Sequence, residues 1–465
     1  MKTTFIQSVK KLWLLDKNER DKLFWMTVVF ALVITAYTVC KEMKDLVFVQ
    51  IVGESYVNYA KLVSFVALIP AILFYSYLVN RIRRYQLLCF YTILYGILGL
   101  VFAYLLGHPV IGVSNTDTDP WRIFGWIFYI FIEGYSPFVV SVTWAFINSI
   151  FSPKEAKDSY GFLVAGSKVG GILSAAFAWF LLKPYIPLTS LVKHQILLVL
   201  PSLVILLVPF FVMLLMKRVS GHLLHGYEAA YEYQKEAAKK KETPGIFAGL
   251  KLLVQQPYIL GIFSIIFFYE VLNAVLSFLR IIYAKGAAVS TDDFGSKLFA
   301  LVIGYHLLGF VVALFGTNTL LRWFGERRCL ILIPIVIAIL LFGFLAFGTF
   351  GVLAFVFIAM RGINYGFFYP VRESLYIPTV KAVKFQSKAW IDAFGTKFAK
   401  SVGAEFNIVA VMVRNSFSQG MFQLFHWGFF TIILGCWIFV AILLGKRYVW
   451  AIEHDEVIGA QPVEK

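Results

Sequence analysis

The sequence predicts an all-α integral membrane protein with about twelve transmembrane helices in two six-helix halves. Three observations predict it. The 465-residue chain is 60% hydrophobic and only 15% charged, against roughly 45–50% and 25% in soluble domains. Apolar runs near 20 residues recur from end to end, each long enough for a hydrocarbon core of about 30 Å. Lysine and arginine gather in alternate loops, the bias that sets membrane orientation.

In chain order, residues 1–23 form a charged amphipathic arm that reads as an interfacial helix; it shows no cleavable signal peptide. Spans are then expected near 24–46, 57–79, 85–107, 122–150, 158–183 and 192–216. A lysine-rich, helix-prone cytoplasmic linker, 217–256, separates them from spans near 257–284, 296–320, 329–350, 351–379, 387–413 and 422–445. This makes 24–216 an N-terminal six-helix bundle, 257–445 a C-terminal one and 446–465 a tail. Even-numbered loops carry Arg81, Arg83, Arg84, Lys154, Lys157, Arg322, Arg327 and Arg328, whereas odd-numbered loops hold acids such as Glu54, Asp117, Asp119, Asp292 and Asp293. Both termini are therefore expected on the cytoplasmic side. The net charge of +16 results mostly from this bias and requires no nucleic acid.

The halves resemble one another. Glu133-Gly134 in segment 4 answers Arg361-Gly362 in segment 10, and Ser167 to Gly170 in segment 5 answers Lys400 to Gly403 in segment 11. A six-plus-six parallel repeat with basic loops 2–3 and 8–9 is the pattern of the major-facilitator architecture, whose substrate site is expected near mid-depth between the halves. Gly166-xxx-Gly170 and Gly395-xxx-Ala399-xxx-Gly403 are small-residue patterns that let helices approach closely.

The chemistry has to come from charges inside apolar segments: Lys44, Glu133, Glu270, Arg361, Arg372, Lys388 and Lys400. Each costs at least about 2.5–3.5 kcal/mol at mid-bilayer unless it has a partner or a water-filled path. Most are cations, so the expected traveller is an anion. They are also expected at corresponding places in the two halves. Within segment 1, Glu42 and Asp45 can neutralise Lys41 and Lys44, or those lysines can snorkel to the interface. Glu133 precedes Gly134 and Pro137; its bland alternative is a salt bridge across the halves to Arg361. Glu270 has Arg280 as a candidate partner, and Arg372 can pair locally with Glu373. Lys388, Asp392 and Lys400 fall four and eight residues apart, on one face of a continuous helix. Lysines would meet a phosphate chain as point charges and an arginine would clamp its oxygens. Tyr129, Tyr135, Tyr269, Tyr365, Phe368 and Tyr369 can pack in the core or stack a base.

Other chemistries lack their residues. The four cysteines, Cys40, Cys89, Cys329 and Cys436, are scattered, so neither a metal nor a disulfide framework is indicated. His306 and His426 read as packing residues. There is no phosphate-cradling Walker loop, dinucleotide fingerprint or nucleophile elbow. A secondary transporter without cofactor or metal is expected, not an enzyme.

The motifs together resemble the nucleotide transporter family, the ATP/ADP translocases of intracellular bacteria and plastids, which are unrelated to the mitochondrial carriers. The matching stretches are Lys41-Glu42-Met43-Lys44-Asp45; Phe128-Tyr129 with Glu133; Trp144-Ala145-Phe146-Ile147-Asn148; Glu155-Ala156-Lys157 with Tyr160; Glu270; Arg372-Glu373 with Tyr376-Ile377-Pro378; Lys384, Lys388 and Asp392; and Lys400-Ser401. They keep their order over nearly the whole chain. Leu46 stands where threonine is usual, Gly134-Tyr135-Ser136 where Leu-Trp-Gly is usual, and Arg372 where lysine is usual.

The resemblance implies antiport or energy-linked import of nucleotides across a bacterial inner membrane. It also implies functional roles for Lys44, Glu133, Glu270 and either Lys388 or Lys400. The candidate substrate-binding residues are thus Lys44, Glu133, Asn148, Glu270, Arg361, Arg372, Lys388 and Lys400; the candidate coupling or gating residues are Glu133, Glu270, Asp45 and Asp392. The expected function is alternating-access transport of nucleoside di- and triphosphates by antiport, with phosphate or protons as further co- or counter-substrates, by a monomer in the lipid bilayer. The alternative is a proton-coupled symporter of a nucleotide or other organic anion. A non-transporting membrane scaffold with paired structural bridges is a third reading.

Overall fold

The computed structural model describes residues 17–79, 81–151, 153–219, 253–312, 317–380, 383, 387–454 and 456–459. These are almost wholly helical; the one β-type contact among them is an isolated bridge between Thr379 and Ile458. The arm's residues 1–16 and the linker's 220–252 lie outside the described residues.

The first helix, α1 (Lys17–Ile51), runs for 35 residues without a break. At 1.5 Å per residue it spans about 50 Å, well beyond a hydrocarbon core. It therefore overshoots the expected span at both ends and carries Lys44 inside a continuous helix. Gly53, at φ 111°, ends the turn after it, in a conformation that side-chain-bearing residues avoid. Then come α2 (Val57–Val79) and α3 (Arg84–Leu105). Segment 4 is split into α4 (Ile123–Glu133), a π-turn (Ser136–Val140) and α5 (Ser141–Ile150). Next are α6 (Pro153–Leu181), α7 (Ser190–Leu206) and α8 (Val208–Arg218).

Past the linker come α9 (Pro257–Gly286), α10 (Thr291–Val311) and α11 (Thr317–Phe347), the last kinked at Gly325. Segment 10 is α12 (Phe350–Ile363), a π-turn (Asn364–Phe368) and α13 (Tyr369–Ser374). Segment 11 is α14 (Lys388–Trp390), a π-turn (Ile391–Gly395) and α15 (Thr396–Ser416). The chain closes with α16 (Gln419–Glu453).

Ten of the described helical segments are long and apolar enough to cross a membrane. The other two expected spans, segments 10 and 11, are not among them; charge and a π-turn interrupt both, as they do segment 4, which still keeps an apolar stretch of that length. A π-turn inserts one extra residue and rotates the helix beyond it, a distortion frequent at functional sites. The turns of segments 4 and 10 both begin three residues after the intramembrane charge, at Ser136 after Glu133 and at Asn364 after Arg361. The sequence repeat thus has a structural counterpart.

Contacts divide the described residues into two compact units. Unit 1 comprises those within Met1–Lys241 together with Ala284–Leu307; unit 2 comprises those within Glu242–Tyr283 together with Leu308–Lys465. One boundary of the division falls within 217–256, where the linker was expected; others pass through α9 and α10 and assign the end of α9 and most of α10 to unit 1.

Inside each unit the small-residue helix lies against the unit's first helix. A Cβ added to Gly170 of α6 would sit 2.9 Å from the Ala31 carbonyl oxygen and 2.6 Å from Thr35; one added to Gly166 would sit 2.3 Å from Thr27. A Cβ on Gly403 of α15 would sit 2.8 Å from the Val271 carbonyl oxygen and 2.8 Å from Ala274. Only the absence of a side chain permits these approaches. Many large apolar side chains, among them Val66, Tyr104, Phe210, Phe355 and Phe439, point out of the protein, as a lipid-facing surface requires.

Candidate functional site

In unit 1 the site is built where α1 meets the end of α4. Lys44 Nζ donates to Glu133 Oε2 at 2.7 Å. Asp45 Oδ1 lies 3.7 Å from the same ammonium, and the Tyr129 ring lies 4.2 Å from it. Tyr129 is one turn before Glu133, so α4 presents a carboxylate and an aromatic face together. The Lys44 side chain is 9% exposed and that of Glu133 26%. Gly134 follows Glu133 because a Cβ there would fall 2.5 Å from the Tyr95 hydroxyl. Glu133 therefore engages Lys44 within its own unit.

In unit 2 the groups are spread along a longer stretch. Glu270 Oε2 lies 3.7 Å from Lys400 Nζ and accepts from Asn273 Nδ2 at 3.1 Å. The candidate partner Arg280 instead lies 4.9 Å from the Phe357 ring. Arg361 lies 4.8 Å from the same ring and donates to Ser277 Oγ at 3.2 Å. Arg372 stacks over Tyr369 at 4.3 Å, while Glu373, its expected local partner, pairs with Lys388. Lys388 Nζ is also 5.4 Å from the Tyr376 ring.

The π-turn at Ile391–Gly395 falls between Lys388 and Lys400, so the expected row of Lys388, Asp392 and Lys400 on one helix face is broken. Lys388 engages Glu373 of segment 10, Lys400 approaches Glu270 of α9, and Asp392 sits in the turn within the electrostatic reach of Arg372 and Lys388. Among the described residues no His, Cys, Asp and Glu cluster could hold a metal ion, and none of the four cysteines is in a disulfide. The side chains of Asn148, Glu155, Lys157 and Tyr160, and Lys384 altogether, lie outside the described residues.

The glycine contacts align the repeats. Gly170 on Ala31 and Gly403 on Val271 make Ala31 and Val271 equivalents. By that register Lys44 matches Ala284, and Glu270 matches Phe30. The pairs Lys44–Glu133 and Glu270–Lys400 are thus not repeat mates, whereas Glu133 and Arg361 hold the corresponding places expected of them. On their respective first helices the two charges sit about 14 residues apart, roughly 20 Å of rise. In the repeat register Arg361 of unit 2 corresponds to Glu133, and Phe357 to Tyr129. An acid with its lysine in unit 1 is replaced by two arginines sharing a ring in unit 2.

Sequence reasoning passed over Ser277 and Phe357. Four-residue spacing between Phe357 and Arg361 on one helix was the available signal. Of the six aromatics offered for stacking, Tyr129, Tyr135, Tyr269 and Phe368 are buried in packing, and Tyr365 and Tyr369 are exposed.

A many-spanned helical bundle with charges held in interrupted spans defines a membrane transporter rather than an enzyme. Solved transporters have this fold. The major facilitator superfamily proton:xylose symporter XylE superposes with a TM-score of 0.57 at 17% identity, covering 93% of this chain and 96% of that one. A bacterial homologue of the human lysosomal transporter Spinster gives 0.56 at 11% identity, covering 96% and 100%. More particularly, residues 119–448 match the TLC ATP/ADP transporter family, and the chain belongs to it. Relatives include ADP,ATP carrier protein 3 of Rickettsia prowazekii (strain Madrid E), 23% identical over 96% of this chain and 98% of that one. ADP,ATP carrier protein 4 of Rickettsia typhi (strain ATCC VR-144 / Wilmington) is 21% identical over 96% and 95%.

Proposed function

We propose that the protein exchanges nucleoside di- and triphosphates across a bacterial inner membrane by alternating access, with both termini in the cytoplasm. The observation that carries this reading is Lys44, an ammonium inside a membrane helix held by Glu133 at 2.7 Å. A carboxylate that close is a stand-in for a phosphate oxygen: similar charge, similar reach, and displaceable because Glu133 is the more exposed partner. The carriers to which the chain is related are named for ADP and ATP, which supports nucleotides as the class.

In this mechanism the substrate's phosphates take Lys44 from Glu133; Arg361, Arg372, Lys388 and Lys400, the last beside Glu270, are the further candidate cations for phosphate in unit 2. Glu133 and Glu270 neutralise the cations between substrates. Exchange becomes obligatory when the empty carrier reorients slowly, because moving imperfectly paired cations through a drying path is costly. Tyr365 and Tyr369 are the aromatics with faces available to a base. The reading carries over to a monomer without cofactor.

The test is reconstitution in liposomes loaded with unlabelled ATP or ADP, with uptake of labelled ATP, GTP, ADP and phosphate followed with and without a pH gradient. Uptake that requires internal nucleotide supports exchange. Uptake driven by the pH gradient alone would replace it with proton symport, and no uptake would favour the scaffold.

A further inference from the structure

α10 belongs to unit 1 by contact, and a specific set of side chains holds it there. Asp292, in the first turn of α10, receives Lys193 Nζ at 3.0 Å and the Ser190 hydroxyl, both from the start of α7. Lys193 also donates to the Lys183 carbonyl at 3.0 Å, which ties in the loop after α6. His194 Nε2 lies 3.6 Å from the same carboxylate and is wholly buried. The Lys193 side chain is 3% exposed and that of Asp292 17%. A second, more exposed pair joins Lys285, at the end of α9, to Glu54 in the loop after α1 at 3.0 Å.

The backbone supports the same joint. A Cβ on Gly295 would fall 2.8 Å from Leu182 and 3.0 Å from Leu46, so α10 lies directly on α1 and α6. Farther along, His306 faces Gly171 of α6, whose added Cβ would meet it at 3.1 Å. All these ionic contacts sit at the odd-numbered-loop end, in loops 1–2, 5–6 and 7–8.

We infer that Asp292 and Lys193, with Glu54 and Lys285, form a latch that fastens the odd-numbered-loop ends of α9 and α10 to unit 1 in one conformation and releases them in the other. The inference rests on the alternating-access reading. α9 runs through both units, so its last turn and α10 are the stretch whose allegiance can change as the cycle proceeds. A buried ion pair suits this task. Intact, it is close to neutral in energy; with one partner lost, the other charge is stranded and the joint weakens. The Glu54–Lys285 pair is exposed and contributes less.

The test labels a cysteine placed at the joint. Ser296, beside Gly295, is 3% exposed. In a background with Cys40, Cys89, Cys329 and Cys436 replaced by serine, Ser296→Cys is reacted in liposomes with a membrane-impermeant maleimide. Asp292→Asn should speed labelling by about tenfold as the released population grows. The charge exchange Lys193→Asp with Asp292→Lys should return the rate towards the parent. Gly295→Leu, which wedges the joint without touching a charge, should speed labelling as Asp292→Asn does. An unchanged rate in both Asp292→Asn and Gly295→Leu, or a charge exchange that labels as fast as the single variant, overturns the latch. The readout needs no substrate, so it stands or falls separately from the choice of nucleotide as cargo.

Discussion

Unit 1 concentrates its intramembrane charge and unit 2 spreads it. In unit 1 one ammonium, one close carboxylate and one ring meet where α1 crosses the end of α4. In unit 2 Lys400 stands 3.7 Å from Glu270 with 44% of its side chain exposed, while Arg361, Arg372 and Lys388 each engage a different neighbour. The two units thus share the same helix contacts, Gly170 on Ala31 and Gly403 on Val271, and the same π-turn after segment 4's or 10's charge, but differ in chemistry. Packing positions are held by sterics that both units share. Charges carry no such steric constraint, and on the proposed reading they answer to a ligand with unlike ends, phosphate and base.

The largest effect should come from the feature the units share. Gly170→Leu and Gly403→Leu each force a side chain into a backbone carbonyl less than 3 Å away. Both should cost several kcal/mol, on the order of the overpacking penalty of 1–3 kcal/mol or more. Thermal unfolding in detergent should show the two falls to be similar; a large drop in one alone would break the equivalence of Ala31 and Val271.

Next come the pairs that differ. Lys44→Gln strands Glu133 and removes the phosphate's cation, a loss on the order of 3–5 kcal/mol for a broken buried pair, and exchange should be abolished. Lys400→Gln removes a longer, half-exposed pair of about 0–1 kcal/mol, and exchange should fall only several-fold. Equal losses in the two variants would remove the contrast between the units. Phe357→Ala takes away the ring that Arg280 and Arg361 share, with cation–π contributions of about 0.5–2 kcal/mol. It should raise the KM for nucleotide more than it lowers the maximal rate.

The smallest effect should be outside the spans. Arg447 Nη2 donates to Glu456 Oε1 at 2.7 Å and Nη1 lies 2.6 Å from Oε2, and this pairing holds the Glu456 carboxyl below its usual range. A depressed carboxylate stabilises above its ordinary pKa and loses that contribution as pH falls below it. This pair is at the surface, so Glu456→Gln should leave exchange unchanged at neutral pH, and a marked loss would show that the tail matters more than its exposure implies.

The bilayer class, the interrupted spans and the individual charges were legible in the sequence because each breaks an apolar run that lipid otherwise enforces. Partners were not. Glu133 has cations at similar sequence distances in several helices, and only the crossing of α1 and α4 selects Lys44. The Lys388–Asp392–Lys400 face was misread because spacing assumes an unbroken 3.6-residue period, and the π-turn between them inserts a residue that no composition signal marks. Asp292 and Lys193 were invisible as a pair because they lie 99 residues apart in the chain and outside any motif.

On the proposed reading Glu133 holds Lys44 in place of a substrate phosphate. Equilibrium binding of labelled ATP to the purified protein tests it with two variants. Lys44→Ala should weaken binding at least about tenfold, the worth of one charge-assisted contact. Glu133→Gln, by removing the competitor for that ammonium, should bind ATP as tightly as the parent or more tightly while failing to exchange it. Unchanged affinity in Lys44→Ala, or equal weakening in both variants, would show a static bridge that substrate never enters.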